Sequence, residues 1–215
     1  MTLASLYRQV WRNSVTFFVG ALALAVGMTG FLEAVEFTEL PWALEPLRER
    51  LPVIFPLHMG AAALGLIGIT ASLATRRRPA VHRIVGRLSV SCILVGGAAA
   101  LPTALLSSAG TVARAGFFVQ GIAWLALAAL GYLAIRGGQV ALHRTAMLLM
   151  ASVAFGAVVL RLMLAAASTL GLDVLAWYGT IAWLAWLLPV GVVSAALAVG
   201  KRRATSHKEV MALRA

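Results

Sequence analysis

Six long apolar stretches, separated by short charged or turn-rich breaks, run along the chain. A bilayer core about 30 Å thick needs roughly 20 apolar residues per helix, and each stretch has about that length. The pattern therefore predicts an all-α, polytopic transmembrane bundle that forms one transmembrane domain over residues 1–215. The six predicted spans lie near Ser14–Glu33, Leu51–Thr75, Gly86–Ser108, Val112–Ile135, Thr145–Ala166 and Tyr178–Gly200.

The composition supports this fold class and excludes a soluble enzyme. Hydrophobic residues make up 61% of the chain and charged residues only 12%. A soluble domain has about 25% charged residues, so this chain has too little polar material to cover a surface in water. The chain has a single cysteine, Cys92, which cannot form an intrachain disulfide. Cysteine content therefore does not indicate whether the protein's compartment is oxidising or reducing.

The charges are unevenly divided between the two predicted sides of the membrane. When the loops alternate between the sides, one side receives fourteen basic residues and one acid, and the other receives six acids with Arg48, Arg50 and Arg114. Basic residues gather on the cytoplasmic side, which predicts a multi-pass protein of the bacterial cytoplasmic membrane with both termini inside. Because the basic residues lie at helix ends, we expect them to contact the bilayer's anionic headgroups and not nucleic acid.

Aromatic and small residues suggest how the helices are held. The loop Val35–Arg50 is either a solvated linker or a short amphipathic helix lying flat on the membrane. Trp177, Tyr178, Trp183 and Trp186 are expected at headgroup depth, where amphipathic rings anchor a span. Glycine and alanine crowd the spans and predict close helix packing, which also makes a homodimer or a larger membrane complex a reasonable expectation.

Two predicted hairpins resemble each other. Ala80–Arg83 and Ala141–Arg144 share an Ala-x-His-Arg pattern at an offset of 61 residues, and His58 corresponds to Gln120 at nearly the same offset. These matches indicate a parallel repeat of two helical hairpins. Chance matches in so biased a composition are the alternative.

The same residues resemble a known family. His58, the Arg76–Pro79 turn followed by His82-Arg83, the His143-Arg144-x-x-Met147 segment and Arg161 are similar to the bacterial integral membrane proteins catalogued as domain of unknown function 2306. The resemblance extends from about Leu57 to Ala165, so the first and last spans lie outside it. It departs from the family at Ala146, where a large aromatic residue is expected. The resemblance implies a helical membrane domain and these polar positions, but no reaction.

Polar side chains within the spans define one candidate site. His58, Gln120 and Arg161 lie about 10, 12 and 8 Å from the outer ends of their predicted spans, and Glu33 ends the first span near enough in depth to pair with Arg161. An ionisable group inside a membrane costs a few kcal/mol unless it is paired or hydrated. We therefore predict a ligand-binding site open to the outside, at which a small anionic or protonatable molecule binds or permeates.

A structural role is the alternative for the same residues. Arg161 can extend its guanidinium to the headgroups, and His58 can be a neutral interior histidine bonded to a carbonyl. The protein is then a non-catalytic membrane subunit whose polar residues fix helix packing.

A second candidate site involves His82 and His143. Two histidines on different helices are the arrangement that ligates a b-type haem axially, and Arg83 and Arg144 then hold its propionates. This hypothesis implies electron transfer through haem or quinone. Both histidines lie about one turn outside the apolar windows, however, and basic His-Arg pairs also bind lipid phosphate without a cofactor. No carboxylate or thiolate accompanies them, so no metal ion and no firm cofactor are expected.

Sequence patterns of common enzymes are absent. The chain has no Gly-x-Ser-x-Gly, no phosphate-binding glycine loop, no His-Glu-x-x-His and no pair of carboxylates within a span. We therefore favour a protein that is not an enzyme.

Overall fold

A computed structural model describes the backbone of residues 3–212 and, within it, the side chains of residues 13–41 and 43–202. All the regular elements in this part of the chain are helical, which confirms the predicted fold class. A short 3-10 turn, Trp42–Leu44, precedes α2. The seven α-helices are α1 (Leu3–Ala34), α2 (Glu45–Arg50), α3 (Ile54–Thr75), α4 (Pro79–Leu106), α5 (Thr111–Arg136), α6 (Val140–Thr169) and α7 (Val174–Ala212).

Among the residues that the structure describes, six helices are long and apolar enough to cross a membrane, as the sequence predicts. The candidate spans are Asn13–Ala34 in α1, Ile54–Thr75, Pro79–Leu106, Thr111–Arg136, Val140–Thr169, and Val174–Arg202 in α7. Following the predicted orientation, we call the helix ends that flank residues 35–53, 107–110 and 170–173 the outer ends. The ends that flank turns 76–78 and 137–139 are called the basic ends.

Two helices extend further at their basic ends than the apolar windows indicate. Helix α4 begins at Pro79 instead of Gly86, and α6 begins at Val140 instead of Thr145. Proline is favoured in the first helical turn because its missing N–H has no partner there in any case. Arginine is a good helix former, so the helix continues past the point where the hydrophobic pattern stops. His82 and His143 therefore lie inside helices.

The chain forms two compact units, residues 1–121 and 122–215. In the first unit α1 packs on α3, and α3 packs on α4 as a hairpin. In the second unit α6 packs on α7. The side chains of Ile93 in the first unit and of Val153 and Val158 in the second are completely buried.

Small residues bring α3 and α4 into close contact. A Cβ atom on Gly96 would lie 2.8 Å from the amide nitrogen of Ala62, and one on Gly68 would collide with the side chain of Ser89. Lipid tails are as apolar as leucine, so helices in a membrane associate through such close packing and not through a hydrophobic drive. The predicted glycine-rich packing is therefore found within this hairpin.

The connection from α1 to α3 is folded, not a solvated linker. Leu40, Leu47, Leu51 and Phe55 form a buried cluster in which α2 and the start of α3 take part. Two arginine side chains of the same segment also make specific interactions. Arg48 pairs with Glu36, whose backbone has a φ of 61°, and Arg50 Nη1 donates to the carbonyl oxygen of Leu106 at 2.9 Å. Of the two sequence interpretations, the structure bears out the short helix, and its position flat on the membrane stays a prediction.

Candidate functional site

His58 is bonded across the α3–α4 contact. It is the fifth residue of α3, about 6 Å along the helix from its outer end, and it is half-buried. Its Nδ1 lies 2.8 Å from the carbonyl oxygen of Gly96 on α4. A carbonyl oxygen only accepts, so Nδ1 carries the proton and donates. In the neutral ring, Nε2 is then an acceptor.

The local sequence explains why this bond forms. Gly96 has no side chain, so the α4 backbone approaches Ala61 and Ala62 closely. Ala62 is one helical turn after His58, and the imidazole therefore spans the short remaining distance to α4. A helical carbonyl has a second lone pair, which accepts this additional hydrogen bond without breaking the helix.

An apolar groove of about 360 Å³ lies among α1, α3 and α4. Phe31, Gly60, Leu64 and Cys92 contribute to its lining. Leu57 and Val95 line it as well, and they directly precede His58 and Gly96 in the chain. The groove and the His58 bond therefore share the outer half of the α3–α4 contact.

Glu33 and Gln120 belong to the same unit as His58. Glu33 is the last residue but one of α1, and Gln120 lies about 14 Å along α5 from its outer end. Both side chains are half-buried, and both interact with other groups of the protein. Measured along their helices, His58, Glu33 and Gln120 therefore lie at three different distances from the outer ends.

Arg161 belongs to the second unit. It lies about 12 Å along α6 from the outer end of that helix, and its side chain is exposed. Its Nη1 donates to the carbonyl oxygen of Ala157, one turn earlier in the same helix, at 3.3 Å. The predicted ion pair of Arg161 with Glu33 stays a prediction.

The two predicted hairpins are closed by the same bonds. His82 is the fourth residue of α4, and its Nδ1 lies 3.0 Å from the carbonyl oxygen of Ser72 in α3. His143 is the fourth residue of α6, and its Nδ1 lies 2.8 Å from the carbonyl oxygen of Gly131 in α5. Each turn has three residues. We call these contacts the histidine clamps.

The backbone at the two clamps also matches. The amide of His82 donates to the carbonyl oxygen of Arg78, and the amide of His143 donates to that of Gln139, both at 2.9 Å. Arg78 and Gln139 precede their helices and are themselves 61 residues apart, as the two histidines are. These are the first i-to-i−4 bonds of the two helices, and they show that each histidine holds the same position in its helix.

The clamps leave one nitrogen of each histidine for other partners. With Nδ1 held by a carbonyl, Nε2 is the acceptor of the neutral ring, and such a bond from Nδ1 to a carbonyl is typical of histidines that bind a metal through Nε2. Nε2 of each ring therefore has the lone pair that an axial haem ligand needs. The adjacent Arg83 and Arg144 are exposed, and Arg83 Nε also donates to the Pro79 carbonyl oxygen at 3.3 Å. In the described part of the chain, no three His, Cys, Asp or Glu residues group as a metal site would require.

Two buried tryptophans were not identified as polar sites from the sequence. Trp124 and Trp186 are each 7% exposed, and their indole nitrogens find no acceptor among the described residues. Trp186 lies about 18 Å along α7 from its outer end, so the prediction that it anchors at headgroup depth is wrong. Trp177, which is 50% exposed near the start of α7, has the exposure of an anchoring ring. The sequence alone does not show that Trp186 is buried and Trp177 is exposed, because both lie in one cluster of aromatic residues.

These features define a polytopic helical membrane protein with six candidate spans. The chain belongs to the family of predicted membrane proteins DUF2306, whose family model matches residues 55–197. The match confirms the resemblance and extends it past Ala165 into α7, which the sequence motifs left outside. No curated protein and no solved structure is significantly similar to the chain.

Proposed function

We propose that the first unit binds a small protonatable or anionic molecule on the outer side of the membrane, with His58 as its main polar contact. Glu33 and Gln120 are further polar contacts, and the groove receives an apolar part of the molecule. The observation that carries this proposal is the 2.8 Å bond from His58 Nδ1 to the Gly96 carbonyl oxygen. It fixes the orientation of the ring and leaves Nε2 as the acceptor for a protonated carboxyl or hydroxyl group.

The surroundings of His58 favour a molecule that is soluble in lipid when neutral. The groove is apolar, and its walls belong to the membrane-spanning parts of α1, α3 and α4. Hydrogen bonds are stronger in a medium of low dielectric constant than in water, so one well-placed acceptor contributes to both affinity and selectivity. A weak acid with an apolar body meets both conditions.

Two substitutions of His58 separate binding from helix packing. His58→Asn places an amide N–H near the position of Nδ1, so it keeps the bond to Gly96 and removes the Nε2 acceptor. His58→Gln places its amide near Nε2 and gives up the bond to Gly96. The probes are benzoic acid and acetic acid, which share a carboxyl group and differ in their apolar body, at a pH low enough for a fraction of each to be protonated. Binding to the purified protein in detergent is measured by thermal shift and equilibrium dialysis.

We expect benzoic acid to bind more tightly than acetic acid to the natural protein. His58→Asn is expected to keep the melting temperature and to lose benzoic acid affinity by about tenfold, the equivalent of about one hydrogen bond. Gly60→Leu, which places a side chain in the groove, is expected to lower the affinity for benzoic acid and not for acetic acid. If His58→Asn binds benzoic acid as the natural protein does, the binding role is wrong and the packing role of a non-catalytic membrane subunit remains.

The cellular location and orientation are part of the proposal. The chain is placed in the bacterial inner membrane with both termini in the cytoplasm, because fourteen basic residues fall on one predicted side and three on the other. The test is a pair of C-terminal fusions. A green fluorescent protein fusion is expected to fluoresce, and an alkaline phosphatase fusion to be inactive, whereas the opposite result would place the C terminus outside.

Electron transfer through a b-type haem or a quinone is the second candidate function. It is favoured by the histidine clamps, which leave Nε2 of His82 and of His143 as ligand atoms. A bound haem supplies one-electron chemistry. The residues of this chain would ligate the iron through Nε2, and Arg83 or Arg144 would pair with the propionates.

A visible spectrum tests this second function. Protein purified from cells supplied with a haem precursor is recorded oxidised and after reduction with dithionite. A Soret band is expected if haem binds, and His82→Asn or His143→Asn should abolish it while leaving the melting temperature unchanged, since asparagine keeps the clamp. A spectrum of the natural protein without a Soret band rejects haem binding.

A further inference from the structure

The turn between α3 and α4 carries three consecutive arginines that its counterpart lacks. Arg76, Arg77 and Arg78 occupy the three turn positions of the first hairpin, and residues 137–139 of the second are Gly-Gly-Gln. Both turns have three residues, and in both a histidine Nδ1 bonds to a carbonyl oxygen of the preceding helix, ten residues before His82 and twelve residues before His143. Closing the turn therefore does not require the arginines.

Two further arginines extend this charge along α4. Arg83 and Arg87 are one helical turn apart, so they lie on the same face of the helix, where like charges repel. Both side chains are exposed, as are those of the three arginines in the turn. We call the five residues the arginine face: Arg76, Arg77, Arg78, Arg83 and Arg87.

The first unit offers no carboxylate near the arginine face. The sequence contains no aspartate or glutamate between Glu49 and Asp173, and the five acids of the first unit lie between Glu33 and Glu49, around its outer ends. Helix α3 separates the two groups, and its 22 residues extend about 33 Å. The charge of the arginine face is therefore not balanced from within this unit.

The hydrophobic pattern predicts that the arginine face lies at the depth of lipid headgroups. The apolar stretch of α4 begins at Gly86, so residues 79–85 form helix beyond the hydrocarbon, and Arg87 lies at the boundary. Membrane orientation alone does not account for so many charges. The second hairpin is predicted to face the same side of the membrane with two arginines, Arg136 and Arg144. Clusters of several basic residues immediately beside a span are typical of surfaces that bind anionic lipids.

We propose that the arginine face binds the phosphate of an anionic phospholipid. Guanidinium groups bind phosphate oxygens in a bidentate manner, and one phosphate near Arg83 and Arg87 relieves their mutual repulsion. The lipid tails then lie along the apolar part of α4, which exposes Leu88 and Leu94. This binding surface is at the opposite end of α3 from His58 and does not depend on the function proposed there.

Thermal unfolding of the purified protein in detergent tests the proposal. The additives are phosphatidylglycerol, which is anionic, phosphatidylethanolamine, which is zwitterionic, and inorganic phosphate. Three variants are compared with the natural protein: R76Q/R77Q/R78Q, R83Q/R87Q, and the control R136Q/R144Q, which removes the same charge as R83Q/R87Q but from the second hairpin. All seven arginines are exposed, so the variants are expected to fold.

Phosphatidylglycerol is expected to raise the melting temperature of the natural protein by about 5 °C at a concentration about 100-fold above its dissociation constant. The shift should fall to less than half in R76Q/R77Q/R78Q and in R83Q/R87Q, and should persist in the control. Phosphatidylethanolamine and inorganic phosphate should have little effect. An equal loss in the control overturns the proposal in favour of diffuse charge, and an equal shift with inorganic phosphate overturns it in favour of a soluble anion.

Discussion

Gly96 and Ala62 approach each other so closely that a Cβ atom on Gly96 would lie 2.8 Å from the Ala62 amide nitrogen. This is the point at which the backbones of α3 and α4 meet, and one turn earlier on α3 the imidazole of His58 reaches the carbonyl oxygen of Gly96. Helix packing and the orientation of His58 therefore depend on the same missing side chain.

Gly96→Ala is expected to destabilise the protein by about 1–3 kcal/mol, because a methyl group forced against backbone atoms cannot be accommodated by a rotamer change. Gly86→Ala in the same helix is the control. A Cβ atom there meets nothing within 4 Å, so this variant should gain up to about 1 kcal/mol from helix propensity. Thermal unfolding in detergent measures both. Equal effects of the two variants would mean that α3 and α4 are further apart than described.

The histidine clamps are expected to stabilise the hairpins through Nδ1 alone. His82→Gln and His143→Gln should each lower the free energy of unfolding by about 1 kcal/mol, the usual net contribution of one hydrogen bond. His82→Asn and His143→Asn should cost less, since their amide N–H lies near the position of Nδ1. The measurement is chemical denaturation in detergent, and similar losses in the Asn and Gln variants would contradict the clamp.

The sequence predicts the six spans well because a span must be apolar over a length fixed by the bilayer. It predicts the basic ends of α4 and α6 less well, since a helix continues into the headgroup layer after its hydrophobic pattern has ended. The sequence identifies His58, His82 and His143 as polar positions but not their partners. Those partners are backbone carbonyls of Gly96, Ser72 and Gly131, and every residue offers one, so only the fold selects them.

The outer end of α4 is capped by two arginines from different segments. Arg50 donates to the carbonyl oxygen of Leu106, and Arg114 to that of Leu105. A cation at a helix C terminus contributes about 0.3–1 kcal/mol, so Arg50→Ala and Arg114→Ala should each cost that amount. Because the two acceptor carbonyls are adjacent, either arginine can cap the helix when the other is removed. The double variant is therefore expected to lower the free energy of unfolding by more than the sum of the two single variants.

A double-mutant cycle in thermal unfolding measures this coupling. Arg48→Ala is the control in the same segment, because it breaks the pair with Glu36 and leaves α4 unchanged. It should change stability by less than about 0.5 kcal/mol, as is usual for an ion pair open to solvent. Strict additivity of Arg50→Ala and Arg114→Ala would show that the two caps act independently.

Arg161 gives a direct test of the predicted pair with Glu33. Because its side chain is exposed on α6, Arg161→Leu is expected to change the free energy of unfolding by no more than about 0.5 kcal/mol. If Arg161 and Glu33 instead form a buried ion pair, Arg161→Leu should lower the free energy of unfolding by about 3–5 kcal/mol. Adding Glu33→Gln should then restore part of that free energy. Arg161→Lys is the control that keeps the charge.

Trp186 is buried with its indole nitrogen unpaired among the described residues, and so is Trp124. A buried donor without an acceptor costs about 1–3 kcal/mol, and Trp→Phe removes the donor at the cost of some packing volume. We therefore expect Trp186→Phe and Trp124→Phe to change the free energy of unfolding by no more than about 1 kcal/mol, with Trp177→Phe as the exposed control. A loss well above about 3 kcal/mol in detergent would reveal that the N–H donates to a molecule bound within the second unit.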